Sequence, residues 1–253
     1  MGSKPLISAA GLVVGVLYGI FGVGSAFATP ILALIGVAGM PAVVGPLPGL
    51  LPGSATGAWA YWRNGNVDVW VAKRTIAGAF PAAIVGSVTS RFIGGPALVA
   101  LSGIVLLAVG LRVLRPVTSS KRPPWAHHHP TKLMFAAVVI GFASGLLANG
   151  GGFLLVPLFL LTVGLTMSTA TGTSLVVATV LTIPTLVTHA IIGDINWTVA
   201  ALFAVGLVPG ARVGVAVSER VSAARLREGF GWLLVLFAAW FLVREGFQYR
   251  HAR

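Results

Sequence analysis

Two stretches without a single charged side chain limit what this chain can fold into more than any other feature. From Pro5 to Trp62 and from Leu133 to Gly193 there is no Lys, Arg, Asp or Glu, over 58 and 61 residues respectively. At about 1.5 Å of rise per residue and about 30 Å of hydrocarbon, each stretch supplies between two and three crossings of a bilayer. Shorter uncharged runs follow at 75–90, 92–111, 195–211 and 229–243. Only 9% of the 253 residues are charged, whereas a soluble domain has roughly 25%, so a solvated surface cannot be assembled from this inventory. An apolar chain must satisfy its own backbone hydrogen bonds. One rich in Leu, Ala, Val and Gly, with no regular polar-apolar alternation, does so as helices and not as a barrel. The expectation is an all-α, polytopic helical integral membrane protein.

The net charge of +12 invites a nucleic-acid reading, but the basic residues stand at the ends of apolar segments. Arg63, Lys73, Arg74, Arg112, Arg115, Lys121, Arg122, Lys132, Arg220, Arg225 and Arg227 are where cytoplasmic loops collect positive charge and meet anionic lipid. Membrane lipid, not nucleic acid, is the expected partner. With no cysteine, disulfides, thiolate metal sites and Cys nucleophiles are excluded. The N-terminal apolar run lacks a convincing cleavage site and reads as a retained first helix.

The chain repeats itself at an offset of about 128 residues. Gly15-x-x-x-Gly19 returns as Gly141-x-x-x-Gly145. The break Gly22-Val23-Gly24-Ser25 ahead of Pro30 returns as Asn149-Gly150-Gly151-Gly152 ahead of Pro157. Gly65-Asn66-Val67-Asp68 answers Gly193-Asp194-Ile195-Asn196, and Gly78, Pro81 and Gly86 answer Gly206, Pro209 and Gly214. Two membrane repeats, 5–116 and 133–249, are therefore expected on either side of a basic linker at 117–132. Each has four apolar blocks: 5–37, 41–62, 72–91 and 97–115, then 133–163, 168–191, 197–217 and 226–243. That makes about eight long helices. The opening block of each half is too long for one helix and carries the glycine break, so it is read as a helix followed by a broken or re-entrant short helix. Whether the halves are parallel or inverted depends on an even or odd number of crossings. Charge counting returns a tie, with 12 of the 17 Lys and Arg on the linker side either way.

Spaced small residues such as Gly11, Gly15 and Gly19, or Gly206, Gly210 and Gly214, read as helix-packing positions in lipid. The glycine breaks differ, because clustered glycines cost roughly 1 kcal/mol each in a helix and free backbone groups that lipid cannot satisfy. A helix starting just after such a break turns N–H groups and a positive dipole end toward a cavity, an anion site without a charged side chain. Paired breaks in two halves point to a transporter's central site. The candidate substrate-binding residues are Gly22, Gly24, Ser25, Asn149, Gly150, Gly151 and Gly152, joined by the hydroxyls of Thr171, Thr173 and Ser174. Arg212, set inside an apolar block, is either a countercharge in the pathway or a residue snorkelling to the interface. His127, His128 and His129 read as solvated linker, and His189 as interfacial. All five acidic residues fall near loops or segment ends, so the familiar carboxylate proton carrier has no candidate. No catalytic residues, metal site or cofactor are expected.

Taken together, the glycine break ahead of a proline in each half, Ala170-x-Gly172-Thr173-Ser174, the Gly-Asn/Asp-hydrophobic-Asp/Asn turn and the later Gly, Pro and Gly positions resemble the TauE/SafE sulfite-exporter family of membrane permeases. The resemblance implies a secondary carrier of a small sulfur-containing oxyanion, such as sulfite or an organosulfonate, in the cytoplasmic membrane. One departure stands out: Gly172-Thr173-Ser174 faces Gly45-Pro46-Leu47 in the first half, which lacks the hydroxyls. An anion channel and a non-transporting membrane scaffold are the alternatives. Monomer and homo-oligomer both stay open.

Overall fold

The computed structural model describes residues 4–37, 39–114, 130–148, 152–222, 224–226, 228–233, 235–236 and 239–240. The linker expected at 117–132, with its histidine triple, lies almost wholly outside them.

Among the described residues the chain is helical throughout, with no strand. Helix α1 (Lys4–Phe21) is followed by the short α2 (Ser25–Leu34) and α3 (Met40–Val44). Then come α4 (Leu47–Arg63), α5 (Val69–Ile93) and α6 (Gly95–Leu114). The second half holds α7 (Pro130–Leu146), the short α8 (Gly152–Leu158) with a π-helical continuation (Phe159–Val163), α9 (Met167–Ile192) and α10 (Trp197–Ser218). Every described residue from 224 to 240 is also helical. Both opening blocks thus divide where the glycines stand. The second block of the first half is divided too, because Gly45-Pro46 interrupts it between α3 and α4.

Among the described residues four helices, α1, α5, α9 and α10, are long and apolar enough to cross a bilayer, and shorter apolar helices accompany them. Their outer faces carry large apolar side chains: Phe92 is 84% exposed, Ile191 81% and Phe135 73%. Water would not tolerate that much apolar surface, and lipid requires it.

The two sharp turns are built alike. After α4, Gly65 takes a left-handed φ of 71°, and Asp68 caps α5 by accepting from the Val71 N–H at 3.0 Å. After α9, Gly193 takes φ 84°, and Asn196 caps α10 by accepting from the Val199 N–H at 3.2 Å. These caps replace bonds that the first helical turn cannot make internally.

The packing positions read from the sequence meet one another. A Cβ on Gly11, Gly15 or Gly19 would strike the carbonyls of Phe203, Leu207 and Ala211, so α1 and α10 lie backbone to backbone and run in the same direction. The contact is reciprocal, since Gly206, Gly210 and Gly214 meet the carbonyls of Ser8, Leu12 and Val16. Helices α5 and α7 form a second pair of the same kind, with Gly141 and Gly145 against Ala79 and Ala83, and Gly86 against Phe142. Between the pairs stand α4, running with α10 (Gly49 on Ala204, Gly53 on Leu207), and α9, running against α4 (Gly57 on Leu175, Gly172 on Tyr61 and Asn66). One direction is therefore shared by α1, α4 and α10. The opposite one is shared by α5, α7 and α9, since α9 and α5 both begin at the Asn66–Asp68 turn. Removing side chains at these crossings brings backbones close enough for dispersion to hold helices together in lipid.

Candidate functional site at the glycine breaks

Helix α1 ends because Gly22 takes φ 71°, its N–H donating to the Tyr18 carbonyl at 2.8 Å. Helix α7 ends at Ala148, which takes φ 50° and is the one non-glycine described residue in the left-handed region. An alanine there costs roughly 1–2 kcal/mol, which the surrounding structure must absorb.

The two breaks meet in space. A Cβ on Gly152, the first residue of α8, would collide with the Gly22 carbonyl and lie 3.5 Å from the Tyr18 ring. A Cβ on Gly22 would stand 2.8 Å from Ser174 Oγ, 3.2 Å from the Thr171 methyl and 3.3 Å from Val156. Thus Gly22, Gly152, Thr171 and Ser174, chosen from distant parts of the sequence, form one cluster. Thr171 and Ser174 share a face of α9 because they are three residues apart.

The other candidates divide. Thr173 is rotated about 100° from its neighbours on the helix, and its Oγ accepts from the Asp68 N–H at 2.9 Å. It fastens the α4–α5 turn and does not face Gly22. Gly24 packs against Val14 and Tyr18 of α1. Arg212 is exposed on α10 and does not join the cluster. Asn149, Gly150 and Gly151 lie outside the described residues.

Hydroxyls count for more here than the sequence suggested. Tyr18, Ser25 and Thr171 are buried, at 0%, 1% and 0% exposure, and none of their hydroxyls makes a close hydrogen bond, the Ser54 hydroxyl being the group nearest to that of Tyr18. An unpaired buried hydroxyl costs about 1–3 kcal/mol. All three residues belong to the helices that flank or meet the two breaks. By contrast, two amides of the first α2 turn are already used, Ala26 N–H by Val23 and Phe27 N–H by Gly24, each at 3.0 Å. Tyr18 escaped the sequence reading because one tyrosine in an apolar helix looks like core. Its position one turn before the break was the available signal.

The site is closed. An open groove of about 290 Å³ exists elsewhere, between α4 and α9, lined by Ala55, Ala58, Trp59, Trp62, Val176, Thr179 and Val180. Its one hydroxyl, on Thr179, donates to the Leu175 carbonyl at 2.7 Å, and the rest of its side-chain lining is apolar apart from the indole N–H groups of Trp59 and Trp62. His189, in the last turn of α9, is fully buried, with Nδ1 3.3 Å from the Asp194 carboxylate.

The family model described as "Sulfite exporter TauE/SafE" matches residues 7–241. Two proteins of Xylella fastidiosa, each named a probable membrane transporter protein, are 30% identical (strain Temecula1) and 29% identical (strain 9a5c) to the chain. Each alignment covers 94% of both chains. The probable membrane transporter protein YjnA of Bacillus subtilis is 27% identical over 84% of this chain and 89% of its own. No solved structure matches the chain significantly.

Proposed function

The chain belongs to the sulfite exporter TauE/SafE family and is a multi-pass helical membrane transporter; from this we propose that it is a secondary carrier moving a small sulfur-containing oxyanion across the cytoplasmic membrane. The observation that carries the proposal is the meeting of the two breaks beside three unpartnered buried hydroxyls. A sulfur oxyanion offers several acceptor oxygens and no donor when ionised, which complements Tyr18, Ser25 and Thr171. Neutral donors hold such a charge without a permanent buried countercharge, which would be costly in lipid and slow to release.

Two inverted membrane repeats, 5–116 and 133–249, are part of the same proposal. The glycine contacts support it in detail. Gly15 on Leu207 corresponds to Gly141 on Ala79, Gly19 on Ala211 to Gly145 on Ala83, and Gly214 on Val16 to Gly86 on Phe142. The offset is 126 residues in the first helix of each half and 128 in the later one. Opposite directions of α1 and α7, of α4 and α9, and of α10 and α5 favour the inverted arrangement that charge counting left tied. An odd number of crossings per half follows, with α2 and α8 as short broken elements. A site buried at a pseudo-twofold crossing fits alternating access, and hence a carrier.

The test is flux into proteoliposomes with sulfite, thiosulfate, sulfate, sulfoacetate and chloride. Saturable uptake of a sulfur oxyanion with counterflow is expected. Movement of none of these anions by folded, correctly inserted protein would overturn the reading.

A further inference from the structure

His189 and Tyr61 occupy matching places in the two halves. In the turn after α4, the Asn66 N–H donates to the Tyr61 carbonyl at 2.9 Å. In the turn after α9, the Asp194 N–H donates to the His189 carbonyl at 3.2 Å. Because α4 and α9 are antiparallel, the two side chains stand at opposite ends of the protein.

Tyr61 forms a clasp. Its hydroxyl reaches the Gly19 carbonyl at the end of α1 at 3.2 Å and the Ser218 hydroxyl at the end of α10 at 2.7 Å. The counterparts of those partners are Gly145 at the end of α7 and Ser90 at the end of α5. Ser90 is built as Ser218 is: each hydroxyl donates to a carbonyl three residues earlier, Ser87 at 2.7 Å and Val215 at 2.8 Å. Where Tyr61 closes its clasp, His189 leaves its own undone. Its side chain is fully buried, and Nε2 has no partner.

We propose that His189 and Asp194 form a proton-operated latch at one face of the carrier, opposite the fixed Tyr61 clasp, a deepening that rests on the inverted-repeat carrier reading. With one proton on the ring, Nδ1–H donates to the Asp194 carboxylate and Nε2 is an acceptor without a donor. A second proton, taken up on Nε2, makes it a donor to the Ser90 hydroxyl oxygen or the Gly145 carbonyl and draws the ends of α5, α7 and α9 together. Asp194, 25% exposed, keeps the imidazolium paired and gives protons a route from the interface.

Asp194 is the charged group that faces the ring. Of the charged residues on elements packed against α9, Arg63 of α4, Lys73 and Arg74 of α5 and Lys132 of α7 stand at the far ends of their helices, Arg91 of α5 is exposed, and α8 has none. Histidine's ordinary charge change falls between about pH 5 and pH 8, which is the window in which the latch is tested.

The experiment uses the absence of native cysteine. Ser144→Cys puts a thiol on α7 beside Gly145, at a buried hydroxyl that has no hydrogen-bond partner. Its labelling by a small membrane-impermeant thiol reagent is followed from about pH 5 to pH 8, in the full chain in proteoliposomes. The backgrounds are His189, His189→Gln and His189→Phe. Relative to His189→Gln, which corrects for the thiol's own titration, the His189 background should label about tenfold faster at high pH than at low, the worth of one charge-assisted hydrogen bond. Glutamine, a permanent donor, should stay slow, and phenylalanine, no donor, should stay fast. If phenylalanine does not fold, the glutamine ratio decides alone. Identical pH profiles in the His189 and His189→Gln backgrounds overturn the latch. Saturable anion flux with such flat profiles leaves the carrier reading standing without it. A pH-responsive latch in protein that moves no anion overturns the carrier reading instead.

Discussion

Replacing Thr171 by valine keeps the side-chain shape and removes one hydroxyl. That hydroxyl is fully buried and has no hydrogen-bond partner, while the neighbouring Ser174 Oγ donates to the Thr171 carbonyl at 2.8 Å and does not use it. Without substrate, the unpaired oxygen costs the folded protein about 1–3 kcal/mol, so valine should raise stability by up to that amount. With substrate, the same oxygen supplies a hydrogen bond to a charged acceptor worth about 1.5–3 kcal/mol. Valine should therefore weaken binding by roughly 10- to 150-fold. The two effects have opposite signs, which a general packing defect cannot produce. Thermal unfolding in detergent reads the first and calorimetric titration with sulfite reads the second. Gly11→Leu serves as control, since its side chain would strike the Phe203 carbonyl and should lower stability sharply. A Thr171→Val protein that is less stable than wild type and binds the anion equally well would refute the assignment of this hydroxyl to substrate.

Three further outcomes follow from the same geometry. Gly22→Ala and Gly65→Ala both put a side chain at φ 71°, and each should lose about 1–2 kcal/mol of stability to strain. Only Gly22→Ala also crowds Ser174 and Thr171, so it alone should impair anion binding; equal binding by the two variants would contradict this. Thr173→Val deprives the Asp68 N–H of its acceptor and should cost about 1–3 kcal/mol in thermal unfolding while leaving the sulfite affinity unchanged. Arg212→Gln, on an exposed face of α10, should leave proteoliposome flux within about twofold of wild type, an exposed substitution far from the site being worth under about 0.5 kcal/mol. A flux lost with Arg212 would return that residue to the pathway.

Much of this architecture was already legible in the residue order. Composition and the two uncharged stretches determine a helical membrane protein, because lipid leaves no other way to satisfy the backbone of so apolar a chain. Gly11, Gly15, Gly19 and their partners Gly206, Gly210 and Gly214 announce a close helix crossing, since small residues at helical spacing leave room for a second backbone. The glycine breaks announce where helices stop, because φ 71° at Gly22 is a local property that the residue type nearly dictates. What the sequence could not assign was anything that depends on which face meets which neighbour. Thr171, Thr173 and Ser174 look like one hydroxyl string, yet a helix turns about 100° per residue and sends Thr173 to the Asp68 turn while the other two face Gly22. Tyr18 and His189 stand out in the sequence only as an aromatic and an imidazole near helix ends; packing buries each with an unpartnered polar atom. The opposite directions of α1 and α7 were beyond charge counting, which weighs loops and tied. They follow from backbone-to-backbone contacts between helices dozens to nearly two hundred residues apart, a property of the assembled fold that no local stretch of sequence carries.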